Sequence, residues 1–298
     1  MLIWITARVG IARPQWDAGV RFWSSVTGYR ASWLRDEPDG PDEPDGLAGL
    51  AGLVVRDMPG ALVPPDGDAY LRVRRQAAGP TRVCLDLHMS DPSAAVDDAM
   101  VRGARQAAGH GHGALFSPGG MPFRIVAGHG GRRPGAATWH DPALGAQAGT
   151  YAGPGTGTVH LSAIDQVALD IPREHWTREL AFWSGLTGWA ARRSEDEFAP
   201  LDRPAGQPLR LLPHRLDELT GPVRAHLDLA SSDRAAETAR HVNLGACVVR
   251  VHDEWTVLRS PDGHEYCVTD RGVGPAPTPR SASRGPQDLT DEPGRPFA

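Results

Sequence analysis

Two seven-residue stretches, Phe22-Trp23-Ser24-Ser25-Val26-Thr27-Gly28 and Phe182-Trp183-Ser184-Gly185-Leu186-Thr187-Gly188, match at an offset of 160 residues. A match at that distance marks a duplicated domain and limits the chain to folds that can be built twice from one unit. The alignment extends beyond it, pairing Trp16 with Trp176 and Tyr29 with Trp189. Large side chains recur at helical spacing in each copy, Trp16, Val20 and Trp23 in one and Trp176, Leu180 and Trp183 in the other. Each copy therefore reads as an amphipathic helix closed by a glycine, its tryptophans serving as core packing.

A second repeat lies inside the first. Cys84-Leu85-Asp86-Leu87 matches His226-Leu227-Asp228-Leu229 at an offset of 142, and the match continues through Asp91 with Asp233 and Gly103-Ala104 with Gly245-Ala246. Both aspartates stand where a helix N-cap is expected. Four turns share one chemistry: Pro65-Asp66-Gly67, Pro118-Gly119-Gly120, Pro204-Ala205-Gly206 and Pro261-Asp262-Gly263. Proline presets the first central torsion of a tight turn and glycine accepts the positive torsion after it, so each turn can join two antiparallel strands. The unit is thus strand, helix, then two or three strands, present four times. In the first half, strands are expected at 53–56, 70–74 and 81–88. In the second they are expected at 164–171, 197–201, 209–212, 224–229, 247–251 and 265–269. A chain of 298 residues holds two domains of ordinary size. The expected divisions are a domain at 1–130, a Gly/Ala/Pro-rich linker at 131–158, a domain at 159–272 and a disordered Pro/Ser/Arg-rich tail at 273–298. The acidic run Asp36–Gly46 reads as a solvated loop.

Net charge of −5 and a pI near 6.2 argue against a nucleic-acid surface, which would need a basic stripe. Three cysteines, Cys84, Cys247 and Cys267, without C-x-x-C spacing indicate neither a disulfide framework nor a zinc knuckle, which fits a reducing cytoplasm. The first residues lack the basic region and apolar length of a signal peptide, and no apolar run reaches the roughly 18 residues of a spanning helix. Gly153-Pro154-Gly155-Thr156-Gly157 follows no strand and opens no helix, so it is not a dinucleotide loop. The expected partner is a small molecule rather than nucleic acid or a membrane, and the expected state is a monomer or a homodimer.

Ile164-Asp165-Gln166-Val167-Ala168-Leu169, the Phe182–Gly188 stretch, Ala225-His226-Leu227-Asp228 and Ser260-Pro261-Asp262-Gly263-His264-Glu265-Tyr266 together resemble the vicinal oxygen chelate superfamily. That group includes glyoxalase I, fosfomycin- and bleomycin-resistance proteins and extradiol dioxygenases. The resemblance implies an α+β fold of four βαβββ units in two tandem domains, each an open barrel around a cavity. It also implies metal ligands on the first strand of a unit and on the strand after the Pro-x-Gly turn. By that correspondence the first-strand positions are Gln166 and His226, and the post-turn positions are Ala69, Pro122, Pro208 and Glu265, three of which offer no ligating side chain. The candidate metal set is Gln166, His226 and Glu265, with Glu265 also the candidate catalytic residue and Zn, Ni, Fe or Mn the candidate ion. The N-terminal domain, with Thr6, Cys84, Ala69 and Pro122 at the matching positions, lacks such a set.

Strand alternation puts Gln166, His226 and Glu265 on the face opposite the apolar residues of their strands, so all three can line one cavity. The competing reading is that Gln166 and His226 are polar lining and Glu265 pairs with an arginine. His88 is expected to end its strand at the surface, and the His110/His112 pair to sit in a glycine-flanked loop. Cys267 is expected to be half-buried and inert. Three functions stay open. One is a metal-dependent lyase, isomerase or ring-cleaving dioxygenase. Another is a metal-free protein that sequesters an antibiotic or other planar molecule, with Trp255, Trp33 and Trp139 as the rings to watch. The third is an interaction scaffold.

Overall fold

The computed structural model describes residues 1–32, 60–76, 81–107, 113–128, 130–140, 159–192 and 197–273. The acidic run, the expected strand at 53–56, Trp33, the His110/His112 pair and residues 274–298 lie outside the described residues.

The first half runs β1 (Leu2–Ala12), α1 (Trp16–Thr27), β2 (Arg30–Ala31), β3 (Ala61–Val63), β4 (Leu71–Gln76), β5 (Arg82–Met89), α2 (Pro92–Val101), β6 (Arg105–Gln106), β7 (Ala114–Phe116) and β8 (Pro122–Ala127). The second runs β9 (Ala137–His140), β10 (Val159–Ile171), α3 (Trp176–Thr187), β11 (Arg210–Arg215), β12 (Arg224–Ser231), α4 (Arg234–Asn243), β13 (Cys247–Val251), β14 (Trp255–Arg259) and β15 (Glu265–Thr269). The strands form two mixed sheets of one plan, ordered β2-β3-β4-β1-β5-β8-β7-β6 and β11-β10-β12-β15-β14-β13. In each sheet the first strands of two units pair antiparallel at the centre, β1 with β5 and β10 with β12, and each pairs in parallel with the last strand of its own unit. The fold is the expected α+β one, two curled half-barrel sheets with the helices packed outside.

Local chemistry sets the element ends. The Asp91 and Asp233 side chains cap α2 and α4, accepting from the N–H groups of Ala94 (3.0 Å) and Ala236 (2.9 Å). The glycines of all four Pro-x-Gly turns, Gly67, Gly120, Gly206 and Gly263, have positive φ, as the turn chemistry requires.

Three expectations change. Part of the 131–158 stretch is β9, which pairs antiparallel with the N-terminal half of β10 and satisfies an edge that β11 does not reach. Residues 197–201 contribute two isolated bridges, Phe198 to His214 and Ala191 to Leu201, and no full strand. His88 is buried rather than at the surface, because β5 runs one residue further, and its Nε2 lies 3.0 Å from Thr6 Oγ1.

Of the tryptophans of the repeat, Trp16, Trp23 and Trp183 are core, as expected, and Trp176 is half-buried at its edge, but each helix packs against the other half. On α1, Phe22 and Trp23 lie against Tyr266 (5.9 and 5.4 Å between ring centroids), while on α3, Phe182 and Trp183 lie against Phe123 (5.7 and 5.4 Å). One apolar cluster consequently spans both halves. Each buried indole needs an acceptor, and the two halves supply it differently. Trp183 Nε1 donates to Glu179 of its own helix (2.7 Å), whose other oxygen accepts from the Gly119 N–H (2.6 Å). Trp23 Nε1 donates instead to Asp262 of the facing turn (3.2 Å). The repeat aligns Gly19 with Glu179 and Gly119 with Asp262, so carboxylate and glycine have exchanged places across the contact.

A Cβ on Gly19 would stand 2.9 Å from Asp262 Cβ and 2.9 Å from Ile11 Cδ1. Alanine there gains about 1 kcal/mol of helix propensity, against an overpacking cost of about 1–3 kcal/mol. Gly19→Ala is therefore expected to destabilise the protein. In an Asp262→Gly background the same change is expected to cost at least about 1 kcal/mol less. Equal costs in the two backgrounds, read from urea denaturation, would refute the contact.

Candidate functional site

A cavity of about 1330 Å³ opens against the inner face of the second sheet. Strand register arranges that face in ranks. Arg210, Gln166, Asp228 and Cys267 are successive neighbours across β11, β10, β12 and β15. One step along, Leu212, Ala168 and His226 form a second rank, and His214, Asp170 and Arg224 a third. Apolar residues between them, among them Val167, Leu169, Leu227 and Val268, point the other way into the core.

His226 sits at the centre. Its Nδ1 lies 2.8 Å from Asp170 Oδ2, and its Nε2 lies 3.2 Å from Asp228 Oδ1 and 3.6 Å from Cys267 Sγ. Burial alone would lower its pKa, but the Asp170 and Asp228 carboxylates outweigh burial and hold it well above the ordinary value. Burial pushes against Asp170 and Asp228 as well, and their partners, His226 above all, nevertheless keep both pKa values low. Asp228 Oδ2 accepts from Gln166 Nε2 at 2.5 Å. Its Oδ1 is buried and faces His226 Nε2 as an ion pair at 3.2 Å. Burial raises the Cys267 thiol above its usual value.

His226, Asp228 and Cys267 can each aim one ligand atom so that all three lie within 4.8 Å of one another, a separation one small cation can bridge. Asp170 on Nδ1 fixes the imidazole so that Nε2 faces the other two, the arrangement in which an outer carboxylate orients a metal-ligating histidine. The donor set therefore fits a divalent ion. Beyond the cluster, Phe198 stacks on His214 (4.6 Å) and stands edge-on to Trp255 (6.1 Å), giving the cavity an aromatic wall.

Of the residues expected from the sequence, Gln166, His226 and Glu265 all line this cavity. Gln166 and His226 meet at Asp228. Glu265 does not join them: its half-exposed carboxylate is paired with Arg259 across the β14–β15 hairpin at 2.6 Å. Cys267 is buried and contacts His226, where isolation had been expected. Trp255 lines the cavity, whereas Trp139 stacks under Arg240 at 3.6 Å outside it. The reading missed Asp170 and Asp228. A signal for Asp228 was present in the Leu-Asp-Leu core that both copies of the shorter repeat retain.

The equivalent rank of the N-terminal sheet is filled from within. Asp86, the counterpart of Asp228, is 1% exposed and accepts from Arg124 Nε (2.9 Å) and Nη2 (2.8 Å) and from Arg72 Nη1 (3.4 Å), with Arg8 Nη2 at 3.8 Å. Thr6 stands where Gln166 does and Arg124 where Cys267 does, so no ligating set forms there.

The family model of the glyoxalase-like domain matches residues 8–126 and 166–269, and the chain belongs to that family and to the vicinal oxygen chelate superfamily. Among solved structures it is similar to 2,2',3-trihydroxybiphenyl 1,2-dioxygenase from the dibenzofuran-degrading Sphingomonas wittichii strain RW1, at 13% identity and a TM-score of 0.50 over 90% of each chain. It is also similar to a mutant 4-hydroxymandelate synthase from Streptomyces coelicolor, at 15% identity and a TM-score of 0.49 over 93% of this chain and 96% of that one. These likenesses are of fold alone. No curated protein matches the chain in sequence.

Proposed function

We propose that the C-terminal barrel binds a small oxygen-rich molecule through a divalent metal held by His226, Asp228 and Cys267, with Gln166 beside the site. The observation that supports this reading is the convergence of an imidazole nitrogen of His226, a carboxylate oxygen of Asp228 and the thiol of Cys267 within 4.8 Å of one another. A carboxylate, an imidazole and a thiolate together suit Zn best within the group Zn, Ni, Fe and Mn. Such an ion, when bound, supplies Lewis-acid stabilisation of an enolate-like charge on a chelated substrate, the requirement of lyase, isomerase or ring-cleaving chemistry. His226 Nε2 would hold the ion in place of its proton, Asp170 would hold the remaining proton on Nδ1 and so the ring's orientation, Gln166 holds Asp228, and Phe198 and Trp255 cover a planar substrate and exclude water. Glu265, tied to Arg259, stays at the rim outside the ligand set.

Protein purified without a His tag is expected to carry close to one equivalent of metal. Adding Zn to chelator-treated protein is expected to raise its melting temperature, with about 2.7 kcal/mol of stabilisation at 100 times Kd. His226→Ala is expected to abolish both effects. No bound ion, together with no shift from Zn, Ni, Fe or Mn, would sink the metal. The aromatic wall supports a second reading, metal-free sequestration of a planar ligand; binding that survives both a chelator and His226→Ala would select it.

A further inference from the structure

Arg210 is the first residue of β11, and it stands beside Gln166 in the same rank as Asp228 and Cys267. Its guanidinium lines the cavity, is partly buried, and makes no hydrogen bond, ion pair or ring contact with any described residue. Two neighbouring arginines are engaged. Arg203 Nη1 donates to the carbonyls of Pro208 (3.1 Å) and Asp165 (3.5 Å), and Arg271 Nη2 donates to Asp165 Oδ1 (2.5 Å). Arg271 Nη1 also lies 3.7 Å from Asp228 Oδ2, while its Nε is buried without a partner. The acids available, Asp165 and Asp228, are already shared among Arg271, Gln166 and His226.

This end of the cavity therefore carries more cationic donors than it can satisfy. Burial and the neighbouring Arg271 and Arg192 work against the charge of Arg210, Asp165 and Asp228 favour it without bonding it, and the net balance is unfavourable, yet an arginine does not give up its proton in a protein. A half-buried fork of five donors with no protein acceptor among the described residues is free to take a ligand, and a planar oxyanion would meet it in two parallel hydrogen bonds. The spacing suits a small ligand. Arg210 and Asp228 are separated by one intervening strand, about 10 Å between backbones at about 4.8 Å per strand, a span that a small ligand can bridge with help from the arginine side chain's length.

We infer that Arg210, backed by Arg271, is an anion-recognition subsite, and that the ligand of this cavity carries a carboxylate group beside its oxygen-rich end. The inference rests on the proposal that this cavity receives a small molecule, but not on the metal. It is tested by calorimetric titration of two probes of nearly the same shape, the anionic 3,4-dihydroxybenzoate and the neutral 3,4-dihydroxybenzamide, with and without a chelator. Wild-type protein is expected to bind the acid at least about tenfold more tightly than the amide, the effect of one charge-assisted pair. Arg210→Gln is expected to erase that preference, chiefly by weakening binding of the acid, with the melting temperature equal or higher, since the side chain bonds no described residue of the fold. Arg210→Lys, which keeps the charge and loses the fork, is expected to retain only part of the preference. Equal binding of the two probes, a preference that survives Arg210→Gln, or no binding of either probe would each overturn the subsite. A carboxylate preference that persists in the chelator would uphold it even if the metal reading fails, and metal analysis judges that reading separately.

Discussion

Asp86→Asn is expected to cost about 3–5 kcal/mol of stability, because it removes the carboxylate on which three buried arginines converge. Arg8, Arg72 and Arg124 are each no more than 9% exposed, and their charges cannot turn to water when Asp86 is neutralised. Burial alone would raise the pKa of Asp86, but the three guanidiniums hold it far below the usual carboxylate range. A depressed folded-state pKa stabilises the protein above the unfolded value, near 4, and that contribution is lost as pH falls towards the folded value. Denaturant titrations of wild type and variant are accordingly expected to differ fully at pH 7 and to converge as pH drops below about 4. A cost under about 1 kcal/mol at pH 7, within reach of a single exposed ion pair, would show that the cluster does not hold the N-terminal barrel together.

The same substitution at the repeat-related position is expected to act on binding more than on folding. Asp228 meets one amide, one imidazole and the edge of one guanidinium. Asparagine keeps the shape and can still bond Gln166, so Asp228→Asn is expected to cost less than about 2 kcal/mol of stability. It removes a charged ligand atom, however, and is expected to weaken metal binding by at least about 100-fold, beyond the roughly 10–100-fold loss typical when an orienting partner such as Asp170 is changed. Thermal shift against metal concentration measures this directly. An unchanged shift in Asp228→Asn would remove Asp228 from the ligand set.

These paired outcomes show how much of the site was legible in the chain. Alternation on β10, β12 and β15 correctly put Gln166, His226 and Glu265 on the inner face, because the side-chain period of a strand is two whatever its neighbours are. Alternation does not say which inward residues share a rank. Register does, and register brings Asp228 beside both Gln166 and Cys267. It also sets Glu265 opposite Arg259 on the adjoining strand, where a cross-strand ion pair takes its carboxylate. Asp170 reaches His226 diagonally between β10 and β12, a contact with no sequence spacing of its own. Arg210 carried no signal, since an unpartnered arginine is recognised only once the surrounding partners are known.

The sequence by itself determined the duplication, the four strand–helix–strand units, the helix caps at Asp91 and Asp233 and the glycine turns. Each of these depends on chemistry within a few residues, or on comparing the chain with itself. Only the tertiary structure decided that α1 and α3 cross to the opposite half, with Asp262 serving Trp23 where Glu179 serves Trp183. It likewise decided that one copy of a shared Leu-Asp-Leu strand closes around three arginines while the other faces an open cavity. The two copies share the strand, and they differ in which side chains arrive from neighbouring strands by register, a relation between distant segments that no local pattern encodes.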